Sequence, residues 1–271
     1  MVTKSIYLGP MENKLLFTLE EQDRLVFTIA DAKKVLASSD SSVKNVIYRL
    51  KQKNRVKEIE TGKYLLSPAK AGIDGHWSEH TFKIIHSLID EYYVSYWSAL
   101  NHWGMTEQMP VTVYVVIKKR KRDIRFDGQL IKFVTVSPGK FFGSTQEKLG
   151  DCRFNVASRE KTIIDCLDRL EYSGGIVEVA KCLWNARDEL DFDTLAGYTM
   201  RFQVESVWRR LGFLMELLGM CDDKTEKWLY KDFKGYRWLD YSARKETIRY
   251  DKKWGLKINV SEKELLEFKW V

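Results

Sequence analysis

Apolar and polar positions follow helical spacing in two short runs near the start of the chain. Residues three and four positions apart are apolar in both runs: Ile29, Ala32, Val35 and Leu36, and then Val43, Val46, Ile47 and Leu50. This spacing places the apolar side chains on one face of a helix. The stretch SSD at 38–40 interrupts the pattern and offers caps for the second helix. Residues 25–52 are therefore expected to form two short helices around a three-residue turn.

Flanking segments extend this predicted helix pair. Thr28 can cap its first helix, with Asp31 three residues later as an imperfect capping box. An earlier helix over residues 11–24 would cover the core through its leucines. After the pair, residues 55–66 contain two β-prone runs around Thr61-Gly62, where glycine accepts the positive φ of a tight turn. A helix-turn-helix followed by a hairpin predicts a winged helix.

The distribution of charged residues indicates what kind of partner this predicted winged helix binds. Residues 1–70 hold 13 Lys and Arg against 8 Asp and Glu, and the segment from Ser41 to Lys57 has six basic residues and no acidic one. A local excess of positive charge favours a polyanionic partner, although a solvated basic face or a winged helix used for protein contacts gives the same pattern. The expected partner is double-stranded DNA, read by small polar residues at the start of the second helix, longer side chains along it, and cations on the wing. The predicted DNA-binding residues are Ser41, Ser42, Lys44, Asn45, Tyr48, Arg49, Lys51, Arg55, Lys57 and Lys63.

A second, larger domain is expected after a linker. Residues 67–75, SPAKAGIDG, combine proline, glycine and small side chains. The rest of the chain mixes helical patterns, such as SEHTFKIIHSLIDEYY at 78–93, with strands such as VTVYVVI at 111–117. We therefore predict an α+β fold, with an N-terminal winged helix-turn-helix domain over 1–70 and a mixed α/β domain over 76–271. The apolar run at 111–117 is far shorter than the roughly 20 residues that span a bilayer, and no signal peptide is apparent at the start, so a cytoplasmic protein is expected.

The stretch IIDCLDR at 163–169 is a candidate active site, because two carboxylates and a thiol lie within four positions. Ordinary helix chemistry also explains it. Apolar residues of this segment would form a buried stripe, while Asp165 and Arg169, four apart, would pair on the helix surface. Asp168 falls near this pair, and Cys166 has no histidine nearby in sequence. A scaffold helix is therefore the favoured interpretation.

Other candidate chemistry is equally weak. In HWSEH at 76–80 the histidines are four apart, but Trp77 stands where a metalloprotease helix needs glutamate. The tripeptides DFK at 232–234 and EFK at 267–269 resemble half of a nuclease metal site, yet they arise easily in a chain that is 31% charged. The four cysteines form no zinc or redox spacing. No metal site, no cofactor and no enzymatic activity are therefore expected.

A second basic cluster follows the strand at 111–117. It consists of Lys118, Lys119, Arg120, Lys121 and Arg122, five consecutive cations expected at the end of a hairpin. Extra phosphate contacts, docking to an acidic protein and a solvated loop are all compatible with it.

Several blocks of the sequence together resemble the AbiEi antitoxins of type IV abortive-infection toxin–antitoxin systems and their transcriptional-regulator relatives. The blocks are GKYLLSP, YYVSYWSALNHWGMTEQ, VYVVIKKRKR, KFFG, ASREKTIIDCLDRLEYSGGI and RRLGFLMELLG, spread over residues 12–260. The resemblance implies a winged helix joined to an α/β domain and an autorepressor that binds inverted repeats in its own promoter. It also implies that the C-terminal domain counters a nucleotidyltransferase-like toxin without a stable complex. A stand-alone winged-helix regulator remains the alternative, and a DNA-targeted nuclease a more distant one.

Overall fold

The computed structural model describes residues 7–67, 81–126, 129–150, 152–221, 228–229 and 231–270. Helices and three β-sheets make up this part of the chain, which confirms the predicted α+β class. Contacts divide the chain into a first unit of Met1–Asp90, Ile124–Leu130 and Gly150–Phe154, and a second unit of Glu91–Asp123, Ile131–Leu149 and Asn155–Val271. The predicted linker and domain boundary fall mainly on residues 68–80, which lie outside the described residues.

The first unit begins with three helices and a small sheet. In chain order these are α1 (Pro10–Glu21), β1 (Val26–Thr28), α2 (Ile29–Leu36), α3 (Asp40–Gln52), β2 (Val56–Glu60) and β3 (Lys63–Leu66), followed by α4 (Thr81–Leu88). The two predicted helices and the three-residue turn between them are confirmed. So is the hairpin, whose turn contains Gly62 at a φ of 75°, a conformation that glycine adopts without strain.

Local hydrogen bonds explain where these helices begin. The Thr28 hydroxyl accepts from the backbone N–H of Asp31, and the Asp31 carboxylate accepts in return from the Thr28 N–H at 2.9 Å. Aspartate thus completes the capping box in which glutamate is usual. The Ser39 hydroxyl caps α3 by accepting from Ser42 N–H at 3.4 Å. Both caps satisfy N–H groups that have no partner inside the helix.

A three-stranded antiparallel sheet of order β1-β3-β2 closes the core of this region. The short strand β1 was not predicted, because it has only three residues and the last of them, Thr28, also caps α2. Phe27 of β1 is buried and its ring lies 5.6 Å from that of Tyr64. The core is built from leucines of α1, the apolar faces of α2 and α3, and residues of the three strands: Leu15, Leu16, Leu19, Phe27, Ala32, Leu36, Val43, Val46, Ile47, Leu50, Val56, Tyr64 and Leu66.

A six-stranded sheet follows, in the order β6-β7-β5-β4-β9-β8. Its strands are β4 (Tyr92–Val94), β5 (Thr112–Ile117), β6 (Ile124–Phe126), β7 (Gln129–Thr135), β8 (Ser144–Leu149) and β9 (Cys152–Ala157). Strand β4 runs antiparallel to β5 and parallel to β9. The helix predicted over 78–93 is wrong beyond Leu88, where α4 ends, because residues 92–94 instead form a strand with all three side chains buried.

The helices of the second unit are α5 (Tyr96–His102), α6 (Arg159–Asp168), α7 (Gly175–Asn185), α8 (Phe192–Phe202), α9 (Glu205–Leu218) and α10 (Glu262–Leu266). Helices α5, α7, α8 and α9 pack against α6. A third sheet contains β10 (Arg237–Trp238), β11 (Arg249–Asp251) and β12 (Leu256–Ile258). Every side chain of α6 from Glu160 to Leu167 is buried, which makes this helix the centre of the unit rather than an amphipathic surface helix.

Candidate nucleic-acid interface

The outward face of α3 carries the central predicted DNA-binding residues. Ser41, Lys44, Asn45 and Tyr48 are exposed, with Tyr48 at 61% of its surface. The opposite face of α3 is buried in the core, where Val43, Val46, Ile47 and Leu50 are at most 3% exposed. Packing therefore fixes the rotation of the helix and leaves the polar face available to a partner.

Small side chains surround the N-terminus of α3. The hydroxyl oxygens of Ser39 and Ser41 lie 3.1 Å apart, and Ser42 is half-buried. Asp40 is held to one side by Lys33, at 2.7 Å from its carboxylate. Serine at these positions leaves room for a phosphate or a base edge to approach the N–H groups of the first turn.

Two cations near the end of α3 are tied to α1. Glu12 is 2% exposed, and its carboxylate accepts from Arg49 Nε at 2.9 Å and from Lys53 Nζ at 2.6 Å. Burial alone would raise the pKa of Glu12, but the hydrogen bonds from Lys53 and from the Gly9 N–H, together with both cationic charges, lower it. Arg49 is thus oriented by a buried carboxylate while more than half of its side chain, 55%, meets solvent.

The buried Glu12 was not predicted to support this surface. Its local signal was present, because Gly9 precedes α1, Pro10 occupies the first turn and Glu12 is the third helical residue, which accepts from Gly9 N–H at 2.8 Å. That is the glutamate position of a capping box. The two long-range ion pairs it also makes could not be read from spacing.

The cations of the hairpin and the nearby Lys51 differ in solvent exposure and in ion pairing. Lys57 is exposed on β2, Lys63 lies 3.4 Å from Glu60, and Lys51 of α3 lies 2.5 Å from Glu58. Arg55 is only 9% exposed. Among the predicted wing residues, Lys57 is exposed, Lys63 is half-buried and Arg55 is buried.

The basic cluster 118–122 connects β5 to β6 and is not the end of a hairpin. Strand β7 lies between β5 and β6 in the sheet, so the predicted pairing of the flanking strands is wrong. Lys118 pairs with Glu91 at 3.0 Å, and Lys121 lies over the ring of Phe133. Lys119, Arg120 and Arg122 are exposed.

The IIDCLDR segment forms α6 and the turn after it, but its charges do not pair as predicted. Asp165 is 2% exposed and pairs with Lys161, one helical turn earlier, rather than with Arg169. Arg169 has left the helix, with φ −130° and ψ 73°, and lies 3.6 Å from Glu171. The predicted pair does not form because α6 is buried on all sides and ends one residue before Arg169.

The buried ion pair of Lys161 and Asp165 has further hydrogen-bond partners inside the protein. Ser95 donates to Asp165 Oδ2 at 2.8 Å, and Lys161 Nζ lies 3.1 Å from the Tyr93 hydroxyl. Burial lowers the pKa of Lys161 and raises that of Asp165, and the two charges partly offset this effect. Lys161 is 0% exposed, so no surface of the pair is open to a substrate.

Cys166 is an inert thiol in this setting. It is 0% exposed, and burial raises its pKa far above the range in which a thiolate would form. Its hydrogen-bonding neighbour is Ser173, whose hydroxyl donates to the Cys166 carbonyl at 3.3 Å. A nucleophilic role for this cysteine is therefore disfavoured.

The remaining chemical candidates are dispersed. HWSEH lies outside the described residues. Asp232 and Lys234 are exposed, while Lys269 donates to the Leu218 carbonyl at 3.3 Å. Over the described ranges, no group of three or more His, Cys, Asp or Glu side chains is placed to hold a metal ion. Nor does any helix described here have the length and apolarity to cross a membrane.

Comparison with known proteins shows the fold alone. No protein-family model and no curated protein sequence matches the chain. Among solved structures, the chain is similar to the RV2827C protein from Mycobacterium tuberculosis, with a TM-score of 0.71 and 12% sequence identity. The match covers 98% of this chain and 97% of that one.

Proposed function

We propose that this chain is a DNA-binding autorepressor that also acts as an AbiEi-type antitoxin and has no catalytic activity of its own. The first unit would act as a winged helix, with α3 as the recognition helix and the β2–β3 hairpin as the wing. One observation carries this proposal: α3 buries its whole apolar face and presents Lys44, Asn45 and Tyr48 to solvent.

The chemistry of that face suits the major groove. Asn45 can bind the N6 and N7 edge of adenine with two hydrogen bonds, and Lys44 can donate to the O6 and N7 acceptors of guanine. The N–H groups near Ser41 and Ser42 can meet a phosphate, as can Lys57 on the hairpin. Phosphate contacts would position the helix, and the two long side chains would specify the bases.

Autorepression at inverted repeats and antagonism of a nucleotidyltransferase-like toxin rest on the resemblance of the sequence blocks to AbiEi antitoxins. The buried state of Lys161, Asp165 and Cys166 supports a non-enzymatic second unit, because these groups have no route to a substrate. A toxin would then be countered without covalent chemistry by this chain at α6.

A stand-alone regulator with the same DNA-binding surface is the second candidate. The exposed face of α3 supports it as strongly as it supports the antitoxin, because both need the same recognition helix. Co-expression with a nucleotidyltransferase-like toxin encoded beside this chain separates them: the antitoxin restores growth, and the stand-alone regulator does not.

Footprinting on the DNA upstream of the chain's own coding sequence tests the DNA-binding proposal. We expect two protected segments of related, inverted sequence, and lower expression of a reporter placed after them. Protection that spreads evenly over the fragment, with no preferred segment at any protein concentration, would contradict sequence-specific autorepression.

A further inference from the structure

The β10–β12–β11 sheet has an outer face lined with aromatic rings. Strand β12 lies between β10 and β11, and Trp238, Lys257 and Tyr250 are paired in register across the three strands. On β12 the neighbouring residues Leu256 and Ile258 are buried in the core. Since side chains alternate across a strand, the row through Lys257 points away from that core.

Aromatic surface is exposed on this outer face. Tyr236 and Ile248 directly precede β10 and β11, two residues before Trp238 and Tyr250. Continued by one residue, the alternation of each strand places both on the side of the Lys257 row. Tyr236, Tyr250 and Ile248 are 38%, 54% and 59% exposed. The rings of Tyr236 and Tyr250 meet edge to face at 5.0 Å, and Lys257 Nζ lies 5.2 Å from the centre of the Trp238 ring.

Two buried arginines of α9 hold the backbone beneath these rings. Arg209 donates to the carbonyls of Lys234, Gly235 and Gly255 at 2.6 to 2.8 Å. Arg210 donates to the carbonyl of Leu239 at 2.9 Å and to that of Trp238 at 3.2 Å. Exposed rings on a backbone fixed in this way lose little conformational freedom when a ligand stacks on them.

The surrounding segment is strongly basic. Residues 231–257 contain nine Lys and Arg against four Asp and Glu. Some of these cations are paired, for example Arg249 with Glu262 at 2.6 Å and Lys253 with Glu216 at 3.2 Å. Lys257 lies in the outer row itself, and the segment as a whole keeps a surplus of positive charge. Both features favour an anionic ligand that also offers flat apolar faces.

We propose that the outer face of the β10–β12–β11 sheet, defined by Tyr236, Trp238, Ile248, Tyr250 and Lys257, binds single-stranded nucleic acid. Unpaired bases would stack on the tyrosines, and the neighbouring cations would contact the phosphates. A duplex cannot use the rings in this way because its bases are already stacked on one another. An acidic protein would satisfy the charge but would leave the aromatic faces without their preferred flat partner. This binding activity is separate from operator recognition by α3.

Fluorescence anisotropy with the full-length protein tests the proposal. The probes are a labelled 12-nucleotide oligothymidylate, its oligouridylate counterpart and the labelled operator duplex. Each stacked base typically contributes at least a fivefold change in affinity, so Tyr250→Ala with Tyr236→Ala should weaken single-strand binding at least fivefold. Tyr250→Phe with Tyr236→Phe should retain it, because stacking needs the ring and not the hydroxyl.

Two controls make the outcome decisive. Trp270→Ala removes an aromatic side chain that is 84% exposed elsewhere in the second unit and should leave binding unchanged. All variants should bind operator duplex as the parent does, which shows that the protein is folded and separates this proposal from the DNA-binding function. The proposal is overturned if the parent does not bind single strands, or if the alanine variant binds them as tightly as the parent. It is also overturned if only toxin neutralisation is lost, which would identify the face as a protein-docking surface.

Discussion

Arg49 on α3 donates through Nε to Glu12 on α1 across 2.9 Å, and Lys53 donates to the other oxygen of the same carboxylate across 2.6 Å. One buried anion therefore connects the first helix to the end of the helix proposed to read DNA. The link limits the freedom of Arg49, and it makes the position of α3 depend on the ionisation of a group that is 2% exposed.

Glu12→Gln should destabilise the protein by about 1.5–3 kcal/mol, the usual range for hydrogen bonds to a charged group. The substitution keeps the shape of the side chain but removes the charge shared by two cations. Chemical denaturation of the full-length protein at pH 7 measures the effect. Glu21→Gln removes the same charge from an exposed position of α1 and should change the unfolding free energy little. Equal effects from the two variants would show that the ion pairs of the buried Glu12 do not stabilise the fold.

Stability should also depend on pH through Glu12. Its pKa is lowered in the folded state from the ordinary 4.5, so the carboxylate stabilises the fold above about pH 4.5, where it is ionised in both folded and unfolded chains. This contribution is lost as pH falls below 4.5 through the folded-state pKa. The difference in unfolding free energy between parent and Glu12→Gln should therefore shrink between pH 6 and pH 3. A constant difference over that range would argue against ionised Glu12 as its source.

The buried pair of Lys161 and Asp165 should be costly to break but not to replace. Asp165→Asn leaves a buried lysine without its counter-ion, which we expect to destabilise the protein by about 3–5 kcal/mol. Lys161→Met combined with Asp165→Leu removes both charges and should recover most of the loss. Denaturation midpoints and slopes of the three proteins give the comparison, with Lys33→Ala at an exposed ion pair as the control. A double variant no more stable than Asp165→Asn would refute this account of the pair.

Exposed cations of the 118–122 cluster should add sequence-independent DNA affinity. Lys119→Gln with Arg120→Gln should reduce the slope of log K against log salt by about 0.9 for each lost phosphate contact, while operator preference stays the same. Lys148→Gln with Lys263→Gln removes two exposed charges elsewhere and serves as the control. An unchanged slope with failed toxin neutralisation would assign the cluster to the antitoxin activity, and no change in either would leave it a solvated loop.

Helices and turns governed by nearby residues were predictable from the sequence. The apolar spacing of α2 and α3, the caps at Thr28 and Ser39, and the glycine at position 62 are all local signals. The strand β4 was not predictable, because all three side chains of Tyr92–Val94 are buried. Such a short apolar run has the same pattern in a buried helix and in a buried strand.

Side-chain pairing was predictable only where the helix face was known. Asp165 and Arg169 have the spacing of a surface pair, but α6 is enclosed by other helices and ends at Asp168, so Asp165 pairs with Lys161 instead. Arg209 and Arg210 appear as ordinary charged residues in the sequence. Their hydrogen bonds to β10 and its neighbours depend on residues about 25 to 46 positions away, which no local pattern encodes.

The most direct test of the account is the affinity of full-length Lys44→Ala/Asn45→Ala for the operator defined by footprinting. At fixed salt we predict a loss of operator affinity of at least tenfold, since each base contact typically contributes about 1–3 kcal/mol, with a smaller loss on a scrambled duplex. Lys14→Ala, which removes one positive charge from an exposed position of α1, should bind within about fivefold of the parent, because one surface charge contributes at most about 1 kcal/mol. Operator binding by the double variant as tight as that of the parent would contradict the assignment of α3 as the recognition helix.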